Sequence, residues 1–275
     1  MKPALIRGYD NRFALTELWG QAFGDESEFI THMYGCGYLK PSDVFALTVD
    51  GRLVAALFLP EYRIRVGVQE YPIRLLSCVA TDPMQQGKGY MSLLISRSLE
   101  YVRSLCCGVC VIPMSSSLFS FYEKFGFETA FYISERNGFD ASAEISNDNS
   151  KNLSPEACYS KYLEKYHRDG CVYKTKDRFL QAVEEYSHPS QPSEFFVCGS
   201  QFAFVQREPA RLLLREWVGD ETFLCKTLFQ RYGLPVFVQD FPSEEKIPLG
   251  MLCSFDPNLS ERAKSGDLYL NCMYN

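Results

Sequence analysis

LLSCVATDPMQQGKGYMSLLISRSLEYVRSLCCGVCVIPMSSSLFSFYEKFGFETAF, residues 75–131, is the stretch that decides the fold. It divides into an apolar strand (Leu75–Thr81), a turn holding Gly87 and Gly89, a helix, a second strand, a short helix and a last strand from Glu128 to Ile133. The helix carries Leu93, Leu94, Ile95, Leu99 and Val102 on one broad stripe, which predicts packing against a sheet. Between strand and helix stands Gln86-Gly87-Lys88-Gly89-Tyr90-Met91. The first N–H groups of a helix have no intrahelical acceptor and lie at the positive end of its dipole. Glycines without a Cβ let an anion come close to them, so the hexapeptide is a candidate phosphate cradle. It is neither the Gly-Lys-Ser/Thr phosphate loop nor the GxGxxG dinucleotide turn. A connection that needs positive φ and nothing more is the plain structural alternative.

Outward from this stretch, strand and helix signals continue to alternate. Ala4–Arg7 reads as a strand, and Asp10 as the cap of a helix whose apolar positions are Phe13, Leu15, Leu18, Trp19, Ala22 and Phe23. Asp25 or Ser27 caps a second helix through Phe29, Ile30 and Met33. Val44–Val49 and Leu53–Leu59 flank Asp50-Gly51, a dipeptide that predicts a tight hairpin. Tyr62–Val66 and Ile73–Ala80 pair around a turn at Val68–Pro72. On the C-terminal side, the polar run from 140 to 155 reads as a linker. Helices at Pro155–His167 and Thr175–Tyr186 follow, then strands at Phe195–Cys198, Phe202–Gln206 and Leu212–Trp217. A helix Glu221–Tyr232, capped by Asp220 and stopped by Gly233, precedes strands at Val236–Gln239, Gly250–Phe255 and Leu268–Met273. The strand–turn–helix–strand order of 212–239 repeats that of 75–112, which raises an internal duplication with little residue identity.

A chain of 275 residues with 46% hydrophobic and 23% charged residues has the composition of a folded protein of about two domains. Its 28 Lys and Arg against 34 Asp and Glu leave −6, which argues against nucleic acid or an anionic membrane as the main partner and suits a polycationic ligand. The eleven cysteines are odd in number, and Cys107 and Cys110 stand in CxxC spacing without a second pair. With three histidines, at 32, 167 and 188, no zinc set forms, and no metal is expected. The N-terminus lacks a signal-peptide core and the longest apolar run is Leu53–Leu59, far short of the roughly 18 residues of a membrane span. These features place the chain in a reducing cytoplasm, with its cysteines as free thiols.

The strand with its Thr-Asp-Pro exit, the Gln86–Met91 turn and Phe121-Tyr122-Glu123-Lys124-Phe125-Gly126-Phe127 about 30 residues further on together resemble the GNAT superfamily of acyl-CoA-dependent N-acetyltransferases. The resemblance implies an α/β fold with a mixed sheet and acetyl-CoA as co-substrate. Cys78, Val79, Ala80 and Thr81 would hold the pantetheine arm. Gln86, Gly87, Lys88, Gly89, Tyr90 and Met91 would hold the pyrophosphate, with Gln86 at the Arg/Gln position, Gly89 at the central glycine and Met91 where the family has a small residue. Ser116 would bind the cofactor or, with Ser115 and Ser117, cap the short helix. Tyr122 would stand by the thioester sulfur as general acid. The whole chain looks like the tandem-GNAT group: an active domain (1–139), a linker (140–155) and a diverged GNAT-like domain (156–275), without the sterol-carrier-like third domain.

The implied reaction is direct attack of a primary amine, on a small molecule or a peptide, at the acetyl carbonyl. Ile73–Ala80 contains no Asp or Glu, so proton removal through water is the expectation. The carboxylate of Asn275 is the weaker alternative, and Asp82 reads as loop-shaping. Cys78 reads as a packed thiol rather than a nucleophile, and His32 as a packing or surface residue. A competing reading is an acyl-CoA-binding or sensing module, which Met91 and the missing base favour and Tyr122 opposes. Homo-oligomerisation stays open.

Overall fold

The computed structural model describes residues 3–138 and 151–271. They form two units: the first comprises the chain up to Ala130 together with Gly250–Ser265, and the second runs from Phe131 to Leu249 and resumes at Gly266. Residues 140–150 of the expected linker lie outside the described residues.

In the first unit, β1 (Ala4–Arg7) precedes α1 (Arg12–Phe23) and α2 (Ser27–Gly35). Asn11, not Asp10, caps α1, its side chain accepting from Ala14 N–H at 3.2 Å. α2 starts at Ser27 with no side-chain cap. β2 (Val44–Val49) turns into β3 (Arg52–Phe58) through Asp50 and Gly51, whose φ of +51° and +78° are what a two-residue hairpin of this hand requires. β4 (Glu61–Val66) pairs with β5 (Gln69–Thr81) across a turn at Gly67-Val68, earlier than the sequence suggested. Then come α3 (Tyr90–Val102), β6 (Gly108–Val111), α4 (Ser116–Glu123) and β7 (Glu128–Asn137).

The sheet order in this unit is β1-β2-β3-β5-β6, continued by the far-off strand β13 (Ile247–Ser254), whose Met251–Ser254 run antiparallel to Val111–Gly108. The sequence put Gly250–Phe255 with the second set of strands. Gly108 permits the approach: a Cβ there would lie 3.1 Å from the Cys253 carbonyl and 3.2 Å from Leu252 Cδ1. Two apolar clusters cover the sheet. One gathers Leu94, Ile95, Leu99 and Val102 of α3 with Leu57, Leu76, Val109 and Tyr122. The other gathers Leu15, Leu18 and Trp19 of α1 and Phe29, Ile30 and Met33 of α2 with Phe58 and Ala80. Leu93 and Phe13, both expected on buried stripes, are exposed.

In the second unit, α5 (Pro155–Tyr166) is capped by Ser154, β8 (Val172–Tyr173) is short, and α6 (Lys176–Tyr186) is capped by Thr175. β9 (Ser193–Cys198), β10 (Gln201–Arg207), β11 (Leu212–Val218), α7 (Glu221–Tyr232) and β12 (Val236–Asp240) follow. The sheet order is β7-β12-β11-β10-β9, with Ser134–Asn137 of β7 opposite Asp240–Phe237. Asp220 caps α7 and Gly233 ends it in the left-handed region, as the sequence suggested. The final predicted strand reduces to bridges at Leu268 and Tyr269, and Cys272, Met273 and Asn275 lie outside the described residues. In the first unit, β13 leads into α8 (Pro257–Ala263). Among the described residues no helix is long and apolar enough to cross a membrane, the ten cysteines are free thiols, and no cluster of three metal-ligating side chains exists.

Candidate active site

The parallel pairing of β5 with β6 begins at Ile73↔Gly108 and ends at Leu76↔Val111. Pro113 stands just beyond; it has no N–H to donate, so the ladder cannot continue there. On its other side β5 stays paired with β3 through Ser77↔Phe58, Ala80↔Ala56 and Thr81↔Ala55. Ser77 to Thr81 therefore offer one edge of backbone to a wedge that opens between β5 and β6. The register slips by one residue between Ala56 and Phe58, and within that bulge Cys78 takes φ +51°. A left-handed cysteine costs about 1 kcal/mol and re-aims the strand. Cys78 packs on the α1/α2 side and Val79 on the α3 side. Ser77 is buried, and its hydroxyl has no hydrogen-bond partner among the described residues.

The wedge leads to the turn. Asp82 accepts from Met84 N–H at 2.8 Å and so shapes the strand exit. Gln86, Gly87, Lys88 and Gly89 are exposed, Gly87 and Gly89 have φ of +77° and +78°, and a Cβ on either would meet nothing within 4 Å. Gly89 is the N-cap of α3, with no side-chain cap and no acidic residue in the first turn. The first N–H groups of α3 thus lie bare beneath open space, which is where an anion is stabilised. Lys88 Nζ donates to Gln85 Oε1 at 2.8 Å and adds positive charge at this end. Tyr90 and Met91 both pack against the core of the α3 face. The bulk of Met91, at the family's small position, is thus taken up by the interior while its N–H stays in the first turn.

Tyr122 is carried on α4, whose N-cap Ser115 makes no side-chain cap but meets Ser117, Oγ to Oγ, at 2.9 Å; Ser116 is exposed at the first helical position. Tyr122 is 4% exposed among Phe121 and Phe127, at ring distances of 5.3 and 5.7 Å. Its hydroxyl makes no hydrogen bond among the described residues, and burial pushes its pKa up to about 12. The sequence pointed to Tyr122 and the turn; it gave no sign of Ser77 or of Tyr34, a second buried phenol on α2 whose hydroxyl also lacks a partner among the described residues. Sequence periodicity does not tell a satisfied polar atom from an orphaned one.

The second unit has the same local geometry with different contents. β11 runs parallel to β12 only from Leu212 to Leu214. Beyond that point Tyr166 fills the backbone's needs, its hydroxyl accepting from Trp217 N–H at 2.9 Å and donating to Trp217 C=O at 3.2 Å, while Asn271 donates to the Arg215 carbonyl. At the N-terminus of α7 the Asp220 carboxylate accepts from Thr222 and Phe223 N–H at 2.9 and 3.3 Å, so an anion of the chain itself occupies that end.

A mixed sheet whose two central parallel strands part above a glycine turn, with a helix starting at that turn, is the fold of the GCN5-related N-acetyltransferases. Residues 12–130 match the acetyltransferase (GNAT) domain family. Among solved structures, the chain is similar to a conserved protein of Enterococcus faecalis V583 described as a probable N-acyltransferase, with TM-score 0.69 and 14% identity over 92% of this chain and 72% of that one. Eis1 from Mycobacterium abscessus gives TM-score 0.66 and 13% identity over 95% and 76%. A GCN5-related N-acetyltransferase from Anabaena variabilis gives 0.65 and 12% over 93% and 73%. A search of the curated proteins gives no match.

Proposed function

We propose that the first unit transfers an acetyl group from acetyl-CoA to a primary amine. The observation that carries this is the parting of β5 from β6 beyond Leu76 and Val111, with Ser77–Thr81 leading directly to an uncapped helix N-terminus with two left-handed glycines. One surface thus presents hydrogen-bonding backbone for an amide-bearing arm and bare N–H groups for a diphosphate.

In this reading Cys78, Val79, Ala80 and Thr81 bind the pantetheine arm through their backbone. Gln86 to Met91 bind the pyrophosphate, with Gly87 and Gly89 leaving room and Lys88 adding charge. Ser116 faces the arm from α4. The co-substrate supplies an acetyl thioester, an acyl group already activated toward amines. A backbone N–H at the Cys78 bulge stabilises the oxyanion formed on attack. The strand offers no carboxylate between Ile73 and Ala80, so the amine loses its proton through water. Tyr122 donates from its hydroxyl to the leaving sulfur. With a pKa near 12 it is a weaker acid than a thiol by roughly three orders of magnitude, so it acts chiefly as a hydrogen-bond donor that is always protonated. The second unit reads as a diverged copy whose cofactor positions Tyr166, Asn271 and Asp220 fill. The free thiols support a reducing, cytoplasmic setting.

The test is release of free CoA thiol from acetyl-CoA with a panel of primary amines. Release that depends on amine and falls on Tyr122→Phe supports transfer. Tight acetyl-CoA binding without release for any amine would leave a binding or sensing module instead, and no binding would end both readings.

A further inference from the structure

The glycine turn's motif begins at Gln86, and the residue before it, Gln85, stands outside that pattern. The chain from Thr81 to Gln85 is nevertheless firmly held. Asp82 N–H donates to the Val54 carbonyl at 2.9 Å, which ties the strand exit to β3. The Asp82 carboxylate accepts from Met84 N–H at 2.8 Å, and the Asp82 carbonyl accepts from Gln85 N–H at 2.8 Å. These bonds close a single 3-10 turn, Pro83–Gln85, whose first residue has its φ fixed by the proline ring. Gln85 is partly buried at the end of this turn, whereas Gln86 to Gly89 are exposed. From that platform its Oε1 accepts from Lys88 Nζ at 2.8 Å.

The chemistry of this contact is specific to its place. Lys88 is the sole Lys or Arg between Arg74 and Arg97, and Asp82 is the sole Asp or Glu. Asp82 spends its carboxylate on the 3-10 turn, and the partner of Lys88 is a neutral amide. The lysine is therefore held without losing its charge. An ammonium has three N–H donors and Gln85 takes one, so two stay available to an anion. A free lysine side chain would have to be ordered when a ligand arrives, and that ordering opposes binding. We propose that Gln85 is a positioning residue for the cofactor's diphosphate. It sets Lys88 beside the first turn of α3 in advance, so that the ammonium and the bare N–H groups meet the same anion. The role rests on the acetyl-CoA reading above and adds to it a residue that the motif does not contain.

Calorimetric titration with CoA and with 3′-dephospho-CoA tests this without an acceptor amine. Gln85→Met keeps the side-chain length and removes the acceptor; it should weaken both ligands equally, by about fivefold. Gln85→Glu keeps the hydrogen bond and cancels the charge, so it should weaken them by about tenfold. Lys88→Met should cost about tenfold as well, and adding Gln85→Met to it should change nothing further. Three results would overturn the role: unaltered affinity in Gln85→Met or Gln85→Glu, a Gln85→Met loss that persists without Lys88, or a loss confined to the ligand that carries the 3′-phosphate. With any amine that supports thiol release, Gln85→Met should raise the KM for acetyl-CoA and keep kcat; a fall in kcat alone would also overturn it. The two failures are distinct. CoA binding that ignores Gln85 ends this role alone, whereas no CoA binding by the unaltered protein ends the role and the transfer reading together.

Discussion

Leu76 and Val111 are the last residues that β5 and β6 pair, and every feature of the candidate site follows from the separation that starts beyond them. Before this point β5 is paired with β4 up to Arg74 and with β6 from Ile73, so at Ile73 and Arg74 both edges are bonded. After it β5 stays paired with β3, and its pairing with β6 does not continue among the described residues. Buried backbone groups are nearly always paired, so a place where two internal strands part is one that a ligand can complete.

The turn at the end of this edge separates binding from folding. Gly89 and Gly24 share φ of +78°, and a Cβ on either meets nothing within 4 Å. Each alanine substitution should cost about 1 kcal/mol through the left-handed backbone alone. Gly89→Ala should also weaken acetyl-CoA binding at least tenfold, because its methyl enters the space above the first turn of α3. Gly24→Ala, at the far end of α1, should leave affinity unchanged. Calorimetric titration with thermal melts of both variants decides this; equal losses of affinity would remove the cradle.

Tyr122→Phe should lower kcat by roughly 10- to 100-fold and leave acetyl-CoA affinity within twofold. The pH profile carries the sign. A group that acts protonated, with a pKa near 12, remains protonated throughout the stable range, so no loss of rate assignable to Tyr122 should occur below about pH 11. The profile should instead rise with pH as the amine loses its proton. A descending limb near pH 9 that disappears in Tyr122→Phe would contradict the assignment.

Local chemistry made much of this legible. The Asp50-Gly51 hairpin, the Asp220 cap and Gly233 stop of α7, and the Gln86–Met91 turn are signals within a few residues, and each is formed where the sequence suggested. What was hidden depends on partners far apart in the chain. Met251–Ser254 carry an apolar run that reads as a strand anywhere, and only Gly108, 143 positions away, admits them beside β6. The left-handed Cys78 was hidden for another reason: a cysteine carries no mark of positive φ, which arises from a register slip against β3. Phe13 looked like part of a buried face and proved to be exposed.

The bulge makes its own prediction. Cys78→Gly should release about 1 kcal/mol of backbone strain and lose a similar amount of packing, leaving the melting temperature within about 3 °C. Cys78→Val places a β-branched residue in the left-handed region, where it is an outlier, and should cost on the order of 2 kcal/mol. If the bulge supplies the oxyanion donor, kcat should follow the same order, with Gly near the unaltered protein and Val at least tenfold lower. Thermal melts and initial rates on both variants test it, and a Val variant of unaltered kcat would detach the bulge from catalysis.

Lys165 gives a stability prediction confined to the second unit. Its Nζ lies 3.1 Å from the centre of the Trp217 ring and is enclosed with no hydrogen-bond partner among the described residues. Burial lowers its pKa to about 8, partly offset by Asp240, Glu221 and Glu216, while Arg136 adds to the fall. The unfolded chain holds this proton up to about pH 10.4, so between pH 8 and that value the unfolded state binds more protons and stability rises with pH. Below pH 8 the folded state carries a desolvated ammonium, a cost that cation–π attraction to Trp217 only partly offsets. Lys165→Met keeps the aliphatic volume and removes the charge. It should therefore stabilise the protein by on the order of 2 kcal/mol at pH 7, and the gain should shrink at pH 9.5. Urea unfolding of both proteins at the two pH values reads the difference directly, since other titrations cancel. A gain that stayed constant with pH would mean that Lys165 titrates as an ordinary surface lysine, and its burial against Trp217 would then carry no cost.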